Sequence, residues 1–222
     1  MAARLFFLGE CAFMKPITHV YVDGFNLYYG MLKDSNFKWL NLDRFFNLLR
    51  PHDQVLKILY FTAMIDGSGL GNQENYIRAL TTLPSVEIIL GKLMKRNVMC
   101  KVADCDYRGS RIFTTAEEKG TDVNIAVRMM DDAFYARCEN FVLVSGDSDL
   151  APVILKIKSL SPLNRIVVYV PARKPNQWLR HSKPLAEIAD KYRFLPDVIL
   201  SKSQFPEIMQ DSDGLIRKPP SW

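Results

Sequence analysis

The stretch Phe141-Val-Leu-Val-Ser-Gly-Asp-Ser-Asp-Leu150 constrains the fold of this chain more than any other. Four consecutive apolar residues, two of them β-branched, read as a strand buried on both faces, as in a parallel sheet covered by helices. The run stops at Ser145-Gly146, where glycine permits a tight exit toward a helix. Asp147 and Asp149 follow at once, and a helical pattern begins at Leu150. Two carboxylates therefore project from the carboxyl end of a central strand, where open α/β sheets place their ligand sites. The plainer account is that Asp147 or Ser148 caps the helix and Asp149 complements its dipole. The remaining acidic residues decide between the two.

Along the chain, Ile17–Asp23 is β-branched and aromatic and reads as the first strand, ending on a carboxylate. A helix begins near Leu27, and a second spans Leu42–Leu49 with Asn41 as its cap and Pro51 beyond its end. Val55–Thr62 is a strand, Asp66–Gly71 a loop, Gln73–Leu83 a helix closed by Pro84, and Val86–Leu90 a third strand. Weak alternation near Val98–Ala103 suggests a hairpin laid over the sheet edge. The helix predicted over Thr121–Arg137 carries Val123, Ala126, Val127, Met130, Ala133 and Phe134 at i, i+3, i+4, i+7 spacing. A helix to Leu160, a strand over Arg165–Val170, a helix over Trp178–Ala189 divided at Pro184, a short strand at Tyr192–Leu195 and a helical segment near Pro196–Ser201 complete the pattern. Alternating strands and helices predict a three-layer, Rossmann-like α/β fold: a parallel sheet of about five strands with helices on both faces and right-handed crossovers. No Gly-x-Gly-x-x-Gly follows the first strand and no Walker motif is present, which argues against dinucleotide and P-loop chemistry.

At 222 residues the chain suits one domain with loose ends, expected over residues 14–210. Residues 1–13 are expected to be a dispensable extension, with Met14 as the natural start, and the polar, Pro-rich residues 211–222 a disordered tail. Four irregularly spaced cysteines suit a reducing compartment and a cytoplasmic location better than a disulfide framework. No apolar run approaches the ~18 residues of a membrane span. The net charge of +5 permits a polyanionic partner.

Acids stand in three places where strands end or helices begin: Asp23, Asp122, and the pair Asp147 and Asp149. Each alone has a structural explanation as a turn residue or a first-turn helix acid. If the first strand and the Phe141 strand are neighbours, however, all four crowd one crevice. Two like charges ~4 Å apart repel by about 4 kcal/mol at an effective dielectric near 20. A fold collects such groups for a cation, and an all-oxygen donor set without His or Cys suits Mg²⁺ or Mn²⁺. Ions bound by acids in this way serve phosphoryl oxygen chemistry.

Val22-Asp-Gly-Phe-Asn-Leu27, Lys119-Gly-Thr-Asp-Val-Asn124 and Ser145-Gly-Asp-Ser-Asp149 together resemble the three signature motifs of the NYN domain, a branch of the PIN-like nuclease superfamily, in a version similar to bacterial LabA-type proteins. The resemblance covers roughly residues 16–194 and implies metal-dependent cleavage of RNA to 5′-phosphate and 3′-hydroxyl ends. It implies that Asp23, Asp122 and Asp147 bind metal, with Asp149 as the second acid of the last motif. Asn26 matches the Asn of the first motif and would hold Asp23 or touch the scissile phosphate; Ser145 would contact phosphate or Asp23. LabA-type members often carry a Cys-x-x-Cys knuckle before the second motif. Here Cys100 and Cys105 have four residues between them and no second pair nearby, so they are expected to be ordinary thiols.

Two basic runs flank the acids in sequence. Lys156–Arg193 holds nine Lys or Arg against Glu187 and Asp190, and Lys92–Arg111 holds six against Asp104 and Asp106. Lys174, Arg180 and Lys183 are the candidate RNA contacts, with Tyr107, Tyr169 and Trp178 as stacking partners for unpaired bases. The expectation is a ribonuclease acting on single-stranded or loop RNA, compatible with homo-oligomerisation. The alternative is a catalytically weak RNA-binding module of the same fold. A haloacid-dehalogenase-type phosphatase needs a second Asp two residues after Asp23, where Phe25 stands instead.

Overall fold

The computed structural model describes residues 14–65, 67, 69–173 and 182–222. Six parallel strands form the sheet: β1 (Ile17–Asp23), β2 (Gln54–Thr62), β3 (Val86–Leu90), β6 (Asn140–Val144), β7 (Arg165–Val170) and β8 (Lys191–Phe194), in the order β3-β2-β1-β6-β7-β8. The sixth strand, beyond the five or so expected, arises because Lys191–Phe194 pairs with Val167–Val170.

Period-2 alternation along the central strands sorts their side chains into two cores. Val20, Val22, Ile58, Tyr60, Val142 and Val144 face one way. They meet Phe45 and Phe46 of α2 (Leu42–Leu49) and Ala79 and Leu80 of α3 (Leu70–Thr81). Tyr21, Leu59, Phe61, Phe141 and Leu143 face the other way. There they meet Ile125 and Met129 of α4 (Thr121–Phe134), Ile154 and Ile157 of α5 (Ala151–Leu160), and Leu185 of α6 (Lys183–Ile188). Every residue of β6 is buried, as its unbroken apolar run requires.

Several boundaries differ from expectation for identifiable reasons. The α4 helix stops at Phe134 because Ala136 enters the left-handed region at φ 49°. Of the helix expected over Trp178–Ala189, the stretch before Ser182 lies outside the described residues; from Lys183 onward Pro184 stands in the first turn of α6, where its missing N–H interrupts no hydrogen bond. The hairpin is larger than the alternation suggested. Strands β4 (Lys92–Met99) and β5 (Ile112–Lys119) pair antiparallel as a sheet of their own and carry the chain from the edge strand β3 back to the start of α4.

Residues 211–222 depart most from expectation. They are not a disordered tail: strands β9 (Ile208–Asp211) and β10 (Gly214–Arg217) form an antiparallel hairpin against the α2/α3 face. Ile216 is fully buried, and Trp222 packs with ring centroids 6.2 Å from Trp39 and 5.5 Å from Tyr76. Arg78 donates two hydrogen bonds to Asp211, at 3.0 and 2.7 Å. Two apolar anchors suffice to dock a segment whose average composition is polar. Residues 1–13, the expected dispensable extension, lie outside the described residues.

Candidate metal centre

Strands β1 and β6 are adjacent, with Val22 opposite Val144, so the next residues on each, Asp23 and Ser145, sit side by side at the carboxyl edge of the sheet. The chain runs outward through β2 and β3 on one flank and through β7 and β8 on the other, which makes this gap the topological switch point.

Asp23 is only 3% exposed. One carboxylate oxygen, Oδ1, accepts from the Asn26 backbone N–H at 2.9 Å and thereby caps the short helix α1 (Gly24–Leu27). The other, Oδ2, accepts from Asn26 Nδ2 at 2.5 Å and from the Ser145 hydroxyl at 3.1 Å. Asn26 Oδ1 in turn accepts from the Gly146 N–H at 3.1 Å, and Ser145 Oγ from the Asp147 N–H at 3.1 Å. Asn26 and Ser145 thus tie the ends of β1 and β6 together around one carboxylate. Of the two roles open to each, the structure has the one that orients Asp23. Burial raises the Asp23 pKa most, the three donors lower it, and the charge of Glu118 raises it, leaving it above the ordinary carboxylate value.

Asp122 occupies the first turn of α4, entered through Gly120 at φ 93°, a conformation glycine adopts without strain. Its pKa is pushed up to about 6, first by burial and then by the charges of Asp147, Asp23, Glu118 and Asp149. The acids singled out from sequence therefore share one electrostatic site. Asp147 is half-buried and accepts from the Asp149 N–H at 2.9 Å, so it also caps the turn it opens, while Asp149 is exposed. Cap and charge cluster coexist in the same residue.

Glu118, at the end of β5, escaped the sequence analysis. Its Oε1 accepts from the Thr121 N–H at 2.9 Å and from the Thr121 hydroxyl, fixing the start of α4 from outside the helix. Its signal was position: it lies directly before Lys119-Gly-Thr-Asp122, one residue from a motif already identified.

The basic and aromatic candidates separate. Lys183 is exposed and lies 3.7 Å from Glu187, one helical turn on, while Lys174, Arg180 and Trp178 fall outside the described residues. Tyr107 is exposed in the β4–β5 connection. Tyr169 is not a stacking partner: β7 is buried on both faces, and Tyr169 is 5% exposed and bonded to Arg50. Cys100 and Cys105 are free thiols. Among the described residues, no three His, Cys, Asp or Glu side chains converge closely enough to enclose a metal ion. The donor chemistry nonetheless fits a hard divalent cation: oxygen ligands only, with mutual repulsion that a cation would relieve.

Raised folded-state pKa values give a sign to the pH dependence. For Asp122 the charged form is disfavoured on folding, so a stability cost appears as pH rises through the unfolded value near 3.8 and is complete above about 6. Asp122→Asn should therefore melt higher than wild type at pH 7.5 in EDTA, with the difference vanishing near pH 4. Equal melting at both pH values would show that neither burial nor the neighbouring carboxylates raises the Asp122 pKa.

No helix among the described residues is long and apolar enough to cross a membrane. A structure from Vibrio parahaemolyticus, described as a protein of unknown function, superposes with a TM-score of 0.54 at 17% identity, over 84% of this chain and 96% of that one. At that identity the likeness concerns the fold alone. Among curated proteins, the 6-hydroxy-3-succinoylpyridine 3-monooxygenase HspA of Pseudomonas putida is 28% identical, over 92% of this chain and 75% of its own length. Residues 18–195 match the NYN domain, and their parallel sheet is the PIN-like, nuclease-like one that the three acidic motifs implied. The chain belongs to the NYN domain family.

Proposed function

We propose that this protein is a metal-dependent ribonuclease acting on single-stranded or loop RNA in a reducing, cytoplasmic setting. The observation that carries the reading is the placement of Asp23 and of the Asp147–Asp149 segment at the adjacent ends of β1 and β6, the switch point, where burial first and then the charges of Asp147, Asp23, Glu118 and Asp149 push the Asp122 pKa up. Like charges gathered without a basic partner among the described residues are unfavourable unless something positive completes them. Asp23, Asp122, Asp147 and Asp149 would hold Mg²⁺ or Mn²⁺. The chemistry such an ion supplies is charge neutralisation at the phosphate and a lowered pKa of the attacking water. Asn26 and Ser145 keep the Asp23 carboxylate oriented between the two strand ends. Glu118 anchors the first turn of α4 and so places Asp122. Lys174, Arg180 and Lys183, together with the exposed Lys92 and Arg96 of the β4–β5 hairpin, supply positive charge for the RNA backbone.

The test is cleavage of a labelled single-stranded RNA with Mn²⁺ and with EDTA, with the product ends identified. Metal-dependent products bearing 5′-phosphates support the reading, whereas RNA binding without cleavage at any metal concentration favours the binding-module alternative. Replacing Lys174, Arg180 and Lys183 together by Ala should flatten the salt dependence of RNA binding by up to about 2 in log–log slope, at about 0.7 per single-strand phosphate contact. An unchanged slope would place those residues away from the RNA.

One observation favours a second reading. The curated relative is named for oxygenation of a pyridine compound, and an aromatic-lined cavity here opens beside Asp23, with Lys33 and Lys38 among its lining residues. On that reading the site takes a small heteroaromatic acid. Turnover of hydroxypyridine acids, absent for RNA, would favour it.

A further inference from the structure

The cavity beside the acids has a volume of about 230 Å³ and is lined by Phe25, Tyr28, Tyr29, Tyr60, Tyr76 and Trp222. Sites for drug-sized ligands run roughly 300–1,000 Å³, so this one suits a single planar ring system. It adjoins Asp23 through Gly24 and Tyr60, which line it, rather than through the carboxylates themselves. Gly24 follows Asp23 and closes onto the cavity wall, since a Cβ there would lie 2.8 Å from Tyr60 Cζ and 2.7 Å from the Phe61 carbonyl oxygen. Tyr60 is close enough to Asp23 for that charge to raise its pKa, after burial, so its hydroxyl stays neutral.

The lining is a set of π faces with a charged margin. Phe25 stacks on Tyr29 at 6.1 Å between centroids, and Tyr76 packs on Trp222. Lys33 lies 5.2 Å over the Tyr29 ring and forms no ion pair among the described residues, and Lys38 lines the same cavity. Across Phe25, Tyr29 and Ile65 lies a second cavity, bounded by Leu93, Thr114 and Glu118 of the β4–β5 hairpin. Aromatic faces, polar edges from Thr62, Asn72 and Gln73, and exposed lysine next to an acidic centre match what an unpaired nucleotide presents: a flat base on an anionic backbone.

We propose that this cavity holds one nucleobase of the RNA, stacked against Tyr29 and its neighbours, with Lys33 on an adjacent phosphate and the scissile phosphate at the acids. The inference rests on the ribonuclease reading and deepens it: a base held in a pocket must be unpaired, which makes single-strand preference a property of the fold.

Binding of AMP, ribose 5-phosphate and nicotinate to the intact protein in EDTA, followed by NMR chemical-shift titration, tests the cavity without requiring cleavage. AMP should bind at least about tenfold tighter than ribose 5-phosphate, because base–aromatic stacking supplies the difference, and tighter than nicotinate. Tyr29→Ala, at a side chain 57% exposed, should weaken AMP about tenfold with little change in melting temperature. Lys33→Ala should weaken AMP but leave adenosine unaffected. Equal binding of AMP and ribose 5-phosphate, tighter binding of nicotinate, or an unaltered Tyr29→Ala would each overturn the assignment. Nucleotide binding without RNA cleavage would count against the nuclease reading alone; cleavage with no nucleotide binding would count against the cavity alone.

Discussion

Replacing Asp147 and Asp149 together by Asn should abolish RNA cleavage while raising the melting temperature of the metal-free protein. As caps the two pairs are equivalent, because Asn accepts the Asp149 N–H bond about as well as Asp does. As charges they differ, since both carboxylates raise the pKa of Asp122 and repel it once it ionises. Removing them relieves that repulsion in EDTA. Metal should act in the opposite direction on wild type: a ligand at about a hundredfold excess over its Kd stabilises by about 2.7 kcal/mol, roughly 5–11 °C for a chain of this size. The double variant should lose that shift, and cleavage should fall at least about a hundredfold, since a metal supplies several kcal/mol of transition-state stabilisation. Thermal melts with EDTA and with millimolar Mn²⁺ check this, and identical metal shifts in both proteins would reduce the pair to caps.

Ending the chain at Gln210 should lower the melting temperature by roughly 10 °C or more. The cut removes Ile216, fully buried, and Trp222, packed on Trp39 and Tyr76, and it breaks the Arg78–Asp211 ion pair. Loss of one large buried aliphatic side chain alone costs about 2–5 kcal/mol, and each kcal/mol is worth roughly 2–4 °C at this size. It also opens the aromatic cavity, since Trp222 forms part of its wall. A melting temperature within two or three degrees of the full chain would show that the hairpin is not held as described.

The contrast between these two regions shows what was legible in the sequence. The β1–β6 pairing was a condition the structure supplied, but the two central strands it joins and the three acidic motifs could be read because each rests on local chemistry: an apolar run, a glycine exit, a carboxylate at a strand end. The same holds for α2, where Asn41 caps through Oδ1 to the Arg44 N–H at 2.8 Å. The C-terminal hairpin could not be read that way. Its strands are four residues each, too short for a period to stand out from the polar residues around them, and only tertiary contact reveals that Ile216 and Trp222 are anchors. Glu118 was hidden for a related reason: it sits in a mostly exposed strand of an edge hairpin, and its role depends on where that hairpin returns the chain. Tyr169 belongs to the core because β7, covered by helices on both faces, buries Ile166–Val170 without a break, and a basic run around a strand says nothing of that.

The central claim is that the acids at the switch point form one cation site. Its most direct test is the binding of Mn²⁺, measured by loss of the free-ion EPR signal, for wild type, for the Asp147→Asn/Asp149→Asn variant, and for Glu74→Gln, an exposed acid on α3 outside the site. Wild type and Glu74→Gln should bind one or two ions per chain at pH 7.5, more weakly below pH 6 as Asp122 takes up its proton, and the double variant should bind none in the same range. Equal Mn²⁺ binding by all three proteins would contradict the account.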